Sequence, residues 1–183
     1  MTRVLIRAAD VELDIAAIRE IYAEQVLTGT ASWEYDAPDA PEMARRIQAL
    51  LDAGFPCFVA ELDGMVAGYA WASSFRPRAG YRFTVENSVY VRPEARRRGV
   101  AQGLMRVLIS ECSARGFQQM LAVIGDSANL PSIELHRCLG FVHVATLKGI
   151  GFKFGRWLDG VIMQLDLGTS GQPAESPAER PEA

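Results

Sequence analysis

The sequence has few cysteines and no long apolar run, and both absences narrow what the protein can be. Its three cysteines, Cys57, Cys112 and Cys138, are far apart and lack CxxC or Cys/His metal spacing. Their distribution excludes a disulfide framework and favours a reduced compartment without structural zinc. No apolar run reaches the roughly 20 residues that span a bilayer, and the opening MTRVLIRAAD meets charge too early for a signal peptide. We therefore expect a cytoplasmic protein that binds neither metal nor membrane.

A marked excess of positive charge is also missing. The formal net charge is -3 at pH 7, which argues against general affinity for nucleic acid. Of the 183 residues, 49% are apolar and 22% are charged, the balance of one ordinary soluble domain whose core needs no disulfides. The stretch after Gly168, TSGQPAESPAERPEA, has no large apolar residue and cannot offset the entropy of ordering. We predict a single domain over 1–168 and a disordered tail over 169–183.

Apolar periodicity predicts a series of strands and helices along the chain. Asp10 can cap a first helix whose apolar residues recur at helical spacing up to Val26. Asp63-Gly64 is a strong hairpin signal between two apolar runs. The predicted strands cover 3–8, 55–62, 65–73, 84–91, 120–124, 141–147 and about 160–167. The predicted first helix runs from 10 to about 28, the second follows the loop and ends at 51, and the others run from 99 to 116 and from 131 to 138. This order predicts an α+β domain built on a mixed α/β sheet.

One segment, 30–41, has no sustained period. Its sequence, TASWEYDAPDAP, mixes aromatic, acidic and proline residues, so we interpret it as a loop. A loop of this composition either covers a site or plugs a core, and the sequence leaves both readings open.

The run VYVRPEARRRGVAQG, at 89–103, joins a strand to a helix through a cluster of arginines. A helix N-terminus has unsatisfied N–H groups and a partial positive charge, and a glycine lets a ligand approach that backbone closely. These features suit a cofactor with linked phosphates, although the same run could be only a solvated turn. The lysine of a Walker loop and the GxGxxG of dinucleotide folds are both absent.

Two motifs resemble those of the GNAT superfamily of acetyl-CoA-dependent N-acetyltransferases. The run RRRGVA, from Arg96 to Ala101, resembles its R/Q-x-x-G-x-G/A pyrophosphate loop. Asn129, followed by LH and LGF at 135–141, resembles the run beside the pantetheine and thiol. The resemblance implies helices flanking a central, mostly antiparallel sheet, with acetyl-CoA as cosubstrate and no metal. The cofactor-binding residues that it implies are Val89, Tyr90, Val91, Arg96, Arg97, Arg98, Gly99, Val100, Ala101 and Asn129.

Further segments narrow the resemblance to one group. Three segments are similar to those of the phosphinothricin N-acetyltransferases, a group that includes methionine sulfoximine acetyltransferases. They are TASWE at 30–34, TVENSVYV at 84–91 and GFKFGRWLD at 151–159. Many members have glycine where this chain has Ala101, which lies within the pattern's range. The resemblance implies a homodimer that acetylates the α-amine of phosphinothricin, methionine sulfoximine, methionine sulfone or a similar analogue, and hence herbicide resistance.

The group places its general base at the glutamate that is Glu86 here. From the residues alone, Glu86 could instead pair with an arginine such as Arg78. Ordinary pKa values of about 4.3 for glutamate and about 8 for an α-amine leave a gap of roughly 3.7 units against direct proton transfer. Either burial raises the pKa of Glu86 or a water relays the proton. His136, where many members have a tyrosine acid, is a general acid, an orienting group or a structural histidine.

The group's substrates are small zwitterions with an anionic or strongly polar end. Arg76 and Arg78 flank Pro77, and their guanidinium groups can bind carboxylate and phosphinyl oxygens. The strand 89–91 would offer a backbone N–H to the oxyanion. Three aromatic residues, Trp33, Phe75 and Tyr81, would either line the substrate pocket or pack in the core. Lys153, Arg156 and Trp157 would complete the pocket or a dimer contact. The predicted substrate-binding residues are Trp33, Phe75, Arg76, Pro77, Arg78, Tyr81, Glu86, Asn87 and Ser88.

Two other functions stay open at this stage. The first is acetylation of a protein N-terminus or another metabolite amine, against which Arg76 and Arg78 argue because a neutral peptide end needs no such pair. The second is a non-catalytic acyl-CoA sensor, against which the presence of both Glu86 and His136 argues.

Overall fold

The computed structural model describes residues 4–168, so the predicted tail, 169–183, lies outside the described residues. Within 4–168 the chain forms seven strands and four helices, with two short 3-10 turns. The strands are β1 (Leu5–Ala8), β2 (Cys57–Leu62), β3 (Met65–Ser74), β4 (Thr84–Val91), β5 (Gln119–Gly125), β6 (Val142–Lys153) and β7 (Arg156–Asp166). The helices are α1 (Val11–Thr28), α2 (Ala40–Asp52), α3 (Val100–Ala114) and α4 (Leu130–Cys138).

All seven described strands belong to one mixed sheet, in the order β1-β2-β3-β4-β5-β7-β6. Only the β4–β5 pair is parallel, and every other neighbouring pair is antiparallel. A parallel pair needs a crossover connection, and α3 supplies it between β4 and β5. The predicted α+β class and the mostly antiparallel sheet are therefore confirmed.

Helices cover the sheet in two separate layers. The apolar stripe of α3 that begins at Val100 and includes Leu104 and Leu108 is buried in one cluster against the sheet. The other cluster joins α1 and α2 to β2 and β3, with Ile18 and Ile47 fully buried. The buried residues of α1 and α3 recur with the 3.6-residue period of a helix. The sequence predicted these two helices from that spacing.

The parallel pair β4–β5 separates halfway along its length. Pairing runs from Thr84 opposite Gln119 to Asn87 opposite Ala122 and then stops. Both strands continue past that point, β4 to Val91 and β5 to Gly125. A gap therefore opens in the middle of the sheet, with unpaired backbone along both of its sides.

The last hairpin is longer than the sequence indicated. We predicted strands over 141–147 and about 160–167, but β6 reaches Lys153 and β7 begins at Arg156. The region interpreted as a last loop is thus the tip of a hairpin, whose turn residues Phe154 and Gly155 have φ of 52° and 72°. Two register shifts in β6, one before Ala145 and one before Gly151, break the period-2 alternation that marks a strand.

Candidate active site

Two connected cavities open at the gap between β4 and β5. The wide cleft has a volume of about 870 Å³ and reaches the N-terminus of α3. The inner pocket has a volume of about 270 Å³ and reaches Glu86 and His136. The residues that line both cavities are Ala31, Val89, Tyr90, Asn129 and Ser132. A ligand lying along the gap can therefore extend from one cavity into the other.

The N-terminus of α3 faces the wide cleft with its backbone exposed. Gly99 occupies the N-cap position with φ of 81°, and no side chain caps the helix. The first N–H groups of a helix have no partner within it, so those of Val100 to Gln102, which line the cleft, are free to bind an anion. Arg96 and Arg97 line the same cleft. Together these groups suit linked phosphates.

Arg98 lies apart from its two neighbours. It does not line the cleft, and its guanidinium is 3.6 Å from the carboxylate of Asp63 in the β2–β3 turn. Of the three arginines predicted to bind the cofactor, the structure brings Arg96 and Arg97 to the cleft and turns Arg98 toward Asp63.

Backbone N–H groups of β4 point into the gap. β4 pairs with β3 without a register shift, and the N–H of Arg92, directly after β4, donates to Ala67 O of β3 at 2.9 Å. Because successive residues of a strand direct their backbone groups to opposite edges, the N–H groups of Val89 and Val91 point away from β3. They face the edge from which β5 has separated. An acyl carbonyl oxygen placed there could accept hydrogen bonds from them.

Glu86 lines the inner pocket next to the point where the strands separate. Its side chain is half-buried, and the burial raises the pKa of its carboxyl group. Within residues 4–168 no ion pair joins Glu86 to Arg78 or to another cation. The carboxylate is therefore available to a ligand in the pocket, and the alternative of a purely structural pair with Arg78 is not what the structure shows.

His136 of α4 is buried, with 3% of its surface exposed, and it faces two oxygens. Its Nδ1 lies 2.8 Å from Ser132 O, and its Nε2 lies 3.0 Å from Asn87 Oδ1. Asn87 Nδ2 in turn donates to Leu121 O at 2.9 Å. Two oxygen neighbours favour a doubly protonated ring, but burial opposes the charge and lowers the pKa of His136 overall. Asn87 thus contacts His136 on the face of β4 opposite to that of Glu86.

The predicted loop 30–41 has no helix or strand before α2, and its first half covers the inner pocket. Ser32, Trp33 and Glu34 line that pocket, together with Tyr22 of α1. The Tyr22 hydroxyl is 2.9 Å from Ser32 Oγ and donates to Glu34 Oε1 at 3.1 Å. Of the two readings of this loop, the covering of a site agrees with its place at the inner pocket and stays a prediction. Tyr22 and Glu34 are pocket residues that the sequence did not single out, because Tyr22 fits the apolar stripe of its helix.

The predicted substrate-binding residues between β3 and β4 form a cluster of their own. The Arg76 guanidinium carbon lies 5.0 Å from the Phe75 ring centre and 5.6 Å from that of Tyr81. Arg78 is exposed, and none of these residues lines the inner pocket. The structure therefore brings Trp33, Glu86, Asn87 and Ser88 to the pocket but leaves the 75–81 segment outside it.

A metal site and a membrane-spanning helix are both absent from the described residues, 4–168. No group of three or more histidine, cysteine, aspartate or glutamate side chains there could hold a metal ion. No helix in the same range is long and apolar enough to cross a membrane.

Comparison with known sequences gives consistent matches. The profile of the acetyltransferase (GNAT) family matches residues 16–141. The chain is 50% identical over 154 residues to phosphinothricin N-acetyltransferase of Alcaligenes faecalis, covering 84% of this chain and 78% of that protein. It is 41% identical over 168 residues to an L-methionine sulfoximine/L-methionine sulfone acetyltransferase of Salmonella typhimurium, covering 92% and 97% of the two chains.

Solved structures agree with these matches. The crystal structure of a GNAT superfamily phosphinothricin acetyltransferase from Sinorhizobium meliloti, in complex with acetyl-CoA, superposes with a TM-score of 0.90. The two sequences are 46% identical, and the match covers 94% of each chain.

Proposed function

The chain belongs to the GNAT family of acetyltransferases, and from that membership we propose that it acetylates a small amino-acid analogue. The acceptor is the α-amine of phosphinothricin, methionine sulfoximine, methionine sulfone or a close relative, as in the similar enzymes. One observation carries the proposal: a cleft suited to linked phosphates continues into a pocket whose half-buried carboxylate, Glu86, has no cation partner among residues 4–168.

Acetyl-CoA fits the wide cleft as the acyl donor. The free N–H groups of α3 and the guanidinium groups of Arg96 and Arg97 suit its pyrophosphate. The bound cosubstrate supplies an activated acetyl thioester. The N–H groups of Val89 and Val91 are aimed at the gap, where they can donate to the thioester carbonyl as negative charge builds on it. Asn129 lines both cavities, at the junction where the thiol end would lie.

Glu86 is proposed as the general base. An amine attacks only when it is neutral, so a carboxylate at the amine must take its proton directly or through a water. Free groups leave roughly 3.7 pKa units against that transfer. Burial raises the pKa of Glu86 and so narrows the gap. His136 is proposed as the group that returns a proton to the departing thiolate or holds Asn87 in place.

The substrate arginines and the oligomeric state stay predictions. Arg76 and Arg78 are proposed to bind the anionic end of the substrate, although in this chain the 75–81 segment lies outside the inner pocket. A homodimer is proposed because the hairpin β6–β7 leaves a group of large apolar side chains exposed. They are Val142, Val144, Leu147, Ile150, Phe152, Phe154 and Trp157. A cytoplasmic location and a role in herbicide resistance likewise remain predictions.

Thiol release from acetyl-CoA tests the proposed function directly. The purified protein is assayed with phosphinothricin, methionine sulfoximine, methionine sulfone and a set of short peptides, with mass spectrometry of the product. We expect release with at least one analogue and an added acetyl group on its α-amine. Release with peptides alone would identify an N-terminal acetyltransferase. If none of the amines supports thiol release, the result would favour an acyl-CoA sensor. Either result overturns the proposal.

A further inference from the structure

Lys153 is a buried lysine that the proposed chemistry does not use. It ends β6, and 1% of its surface is exposed. Its Nζ donates to Gly29 O at 3.0 Å and to Ser32 O at 2.8 Å. Lys148, the only other lysine in the sequence, is exposed and paired with Asp159, whereas Lys153 has no ion pair with a carboxylate within residues 4–168. A buried ammonium without such a pair is costly. The two carbonyls are its hydrogen-bond partners, and the Phe154 ring, whose centre lies 5.1 Å from Nζ, adds a cation–π contact.

Those carbonyls belong to residues 29–34, which we call the bridging loop. Its first residues, 29–31, line the wide cleft, and 31–34 line the inner pocket. On the side away from Lys153, the loop is bonded to the two helices that cover β2 to β4: Tyr22 of α1 contacts Ser32, and Arg46 of α2 donates to Glu34 at 2.7 Å. The loop therefore spans the gap, from the helices on the β4 side to the hairpin on the β5 side.

The bridging loop also lies directly against the sheet. A Cβ atom placed on Gly151 would be 1.8 Å from the Trp33 ring, and one placed on Gly125 would be 2.1 Å from Thr30 O. Neither position leaves room for a side chain. Lys153 is two residues beyond Gly151 on the same strand, so the strand that seats Trp33 also supplies the ammonium that bonds the loop backbone.

We propose that Lys153 is a positioning residue whose ammonium fixes the bridging loop across the gap and thereby shapes the amine pocket and the adjoining part of the acetyl-CoA cleft. The inference rests on the proposed function for its substrates but not for its geometry. A long stem carrying several donors at one point is what two converging carbonyls require. An apolar side chain of the same length fills the space but leaves both carbonyls without that donor.

The first test compares Lys153→Met with Lys148→Met. The displaced loop would lose contacts with the amine that are the same in the ground state and the transition state, so we expect KM for the amine to rise about ten- to 100-fold in Lys153→Met. Because Glu86 and the β4 backbone are unchanged, kcat should stay within about threefold. Lys148→Met should behave as the unsubstituted enzyme. An unchanged KM in folded Lys153→Met, or a fall in kcat without a rise in KM, overturns the proposal.

Gly151→Ala provides a second variant in case Lys153→Met does not fold. Gly151 lies in β6, and the added methyl group would meet the Trp33 ring. Because this contact displaces the bridging loop, the same rise in KM is expected. Displacement of the loop is read without any amine by Trp33 fluorescence, in a background where Trp71 and Trp157 are phenylalanine, and by the Kd for acetyl-CoA. We expect a red-shifted emission and a weaker Kd.

These readouts separate the two hypotheses. If the unsubstituted protein acetylates no amine, the proposed function fails, but the fluorescence and acetyl-CoA affinity of the variants still decide the role of Lys153. Emission and Kd equal to those of the unsubstituted protein in whichever variant folds overturn the inference, whether or not the enzyme is active on the analogues.

Discussion

The wide cleft and the inner pocket open on the same gap but present different kinds of groups. In the cleft, the donors are backbone N–H groups of α3, aided by arginines such as Arg96, whose side chain is 55% exposed. In the inner pocket, the active groups are buried or half-buried side chains, chiefly Glu86 and His136. A substitution by any residue except proline keeps the backbone donor, whereas it can remove a side chain completely. The pocket should therefore be much more sensitive to substitution than the cleft.

The two regions also differ in the charge that they favour. Where the cleft reaches α3, it gathers the partial positive charge of the helix N-terminus and the full charges of Arg96 and Arg97, as an anion requires. The pocket favours neutral groups instead, because burial raises the pKa of Glu86 and lowers that of His136. A neutral amine and a proton that can move between groups are what acetyl transfer needs. The difference suggests that the cleft supplies affinity and the pocket supplies chemistry.

The largest expected effect comes from Glu86→Gln. Loss of a general base reduces turnover by about 100- to 10,000-fold, while the cleft and therefore the Kd for acetyl-CoA stay the same. Thiol release measures the first quantity and calorimetry the second. Glu111→Gln, on the exposed side of α3 and paired with Arg115, is the matched control and should keep full turnover. Turnover in Glu86→Gln close to that of the unsubstituted enzyme would remove Glu86 from the mechanism.

The pH dependence of turnover extends the same comparison. A base acts only when deprotonated, so turnover should fall as the pH drops through the raised pKa of Glu86. Glu86→Gln should lack that acid limb in its residual activity. The profile of kcat against pH for both proteins is the measurement, and an identical acid limb in the variant would assign the limb to another group.

A smaller effect is expected from His136→Gln. The glutamine amide cannot bond both Ser132 O and Asn87 Oδ1 as the ring does. We therefore expect the free energy of unfolding to fall by about 1–3 kcal/mol. If the ring also donates a proton to the thiolate, kcat should fall by about 100-fold, the lower end of the range for a general acid. His143→Gln replaces the only other histidine, which is exposed, and should change neither quantity. Lower stability with an unchanged kcat would leave His136 a structural residue.

How far the sequence predicted each region follows from how local its contacts are. Strand 84–91, the glycine at 99 and the helix after it are contiguous, so one stretch of sequence contains the cleft's backbone donors. Fold class and helices follow from apolar periods of two and 3.6 residues, which depend only on near neighbours. Ala101 could be interpreted in the same way, because a methyl group at a helix start changes no backbone donor.

The pocket depends on contacts that no local pattern contains. Lys153 bonds to Gly29 and Ser32, which are more than a hundred residues away in the chain. Register shifts in β6 conceal its length, so the sequence predicts no strand at Lys153. The position of the 75–81 segment could not be predicted either, because one guanidinium can stack on a ring or bind an anion, and the sequence does not show that Arg76 stacks on Phe75.

A modest effect is expected when side chains of the cleft are removed. Arg96→Ala combined with Arg97→Ala should raise KM for acetyl-CoA by about threefold to tenfold, as exposed charges contribute about 1 kcal/mol or less each. The free N–H groups of α3 remain in that variant. Arg98→Ala, which removes only the contact with Asp63, is the control and should bind acetyl-CoA normally. A rise of about 100-fold or more would mean that side chains and not the backbone dominate acetyl-CoA binding in the cleft.

The smallest expected effect is a gain in stability from the same Glu86→Gln substitution. Folding raises the pKa of Glu86, so the folded state holds a proton that the unfolded state has lost between the ordinary and the raised pKa. Stability therefore falls as the pH rises through that interval, and a neutral amide avoids the fall. We expect Tm of Glu86→Gln to exceed that of the unsubstituted protein by about 2 °C at pH 8, a shift typical of less than about 1 kcal/mol. Near about pH 3, which lies well below both the ordinary and the raised pKa of Glu86, the carboxyl group is largely protonated in both states and the difference should nearly vanish. Calorimetric scans at the two pH values test this, and a lower Tm at pH 8 would mean that the carboxylate has a stabilising partner in the folded protein.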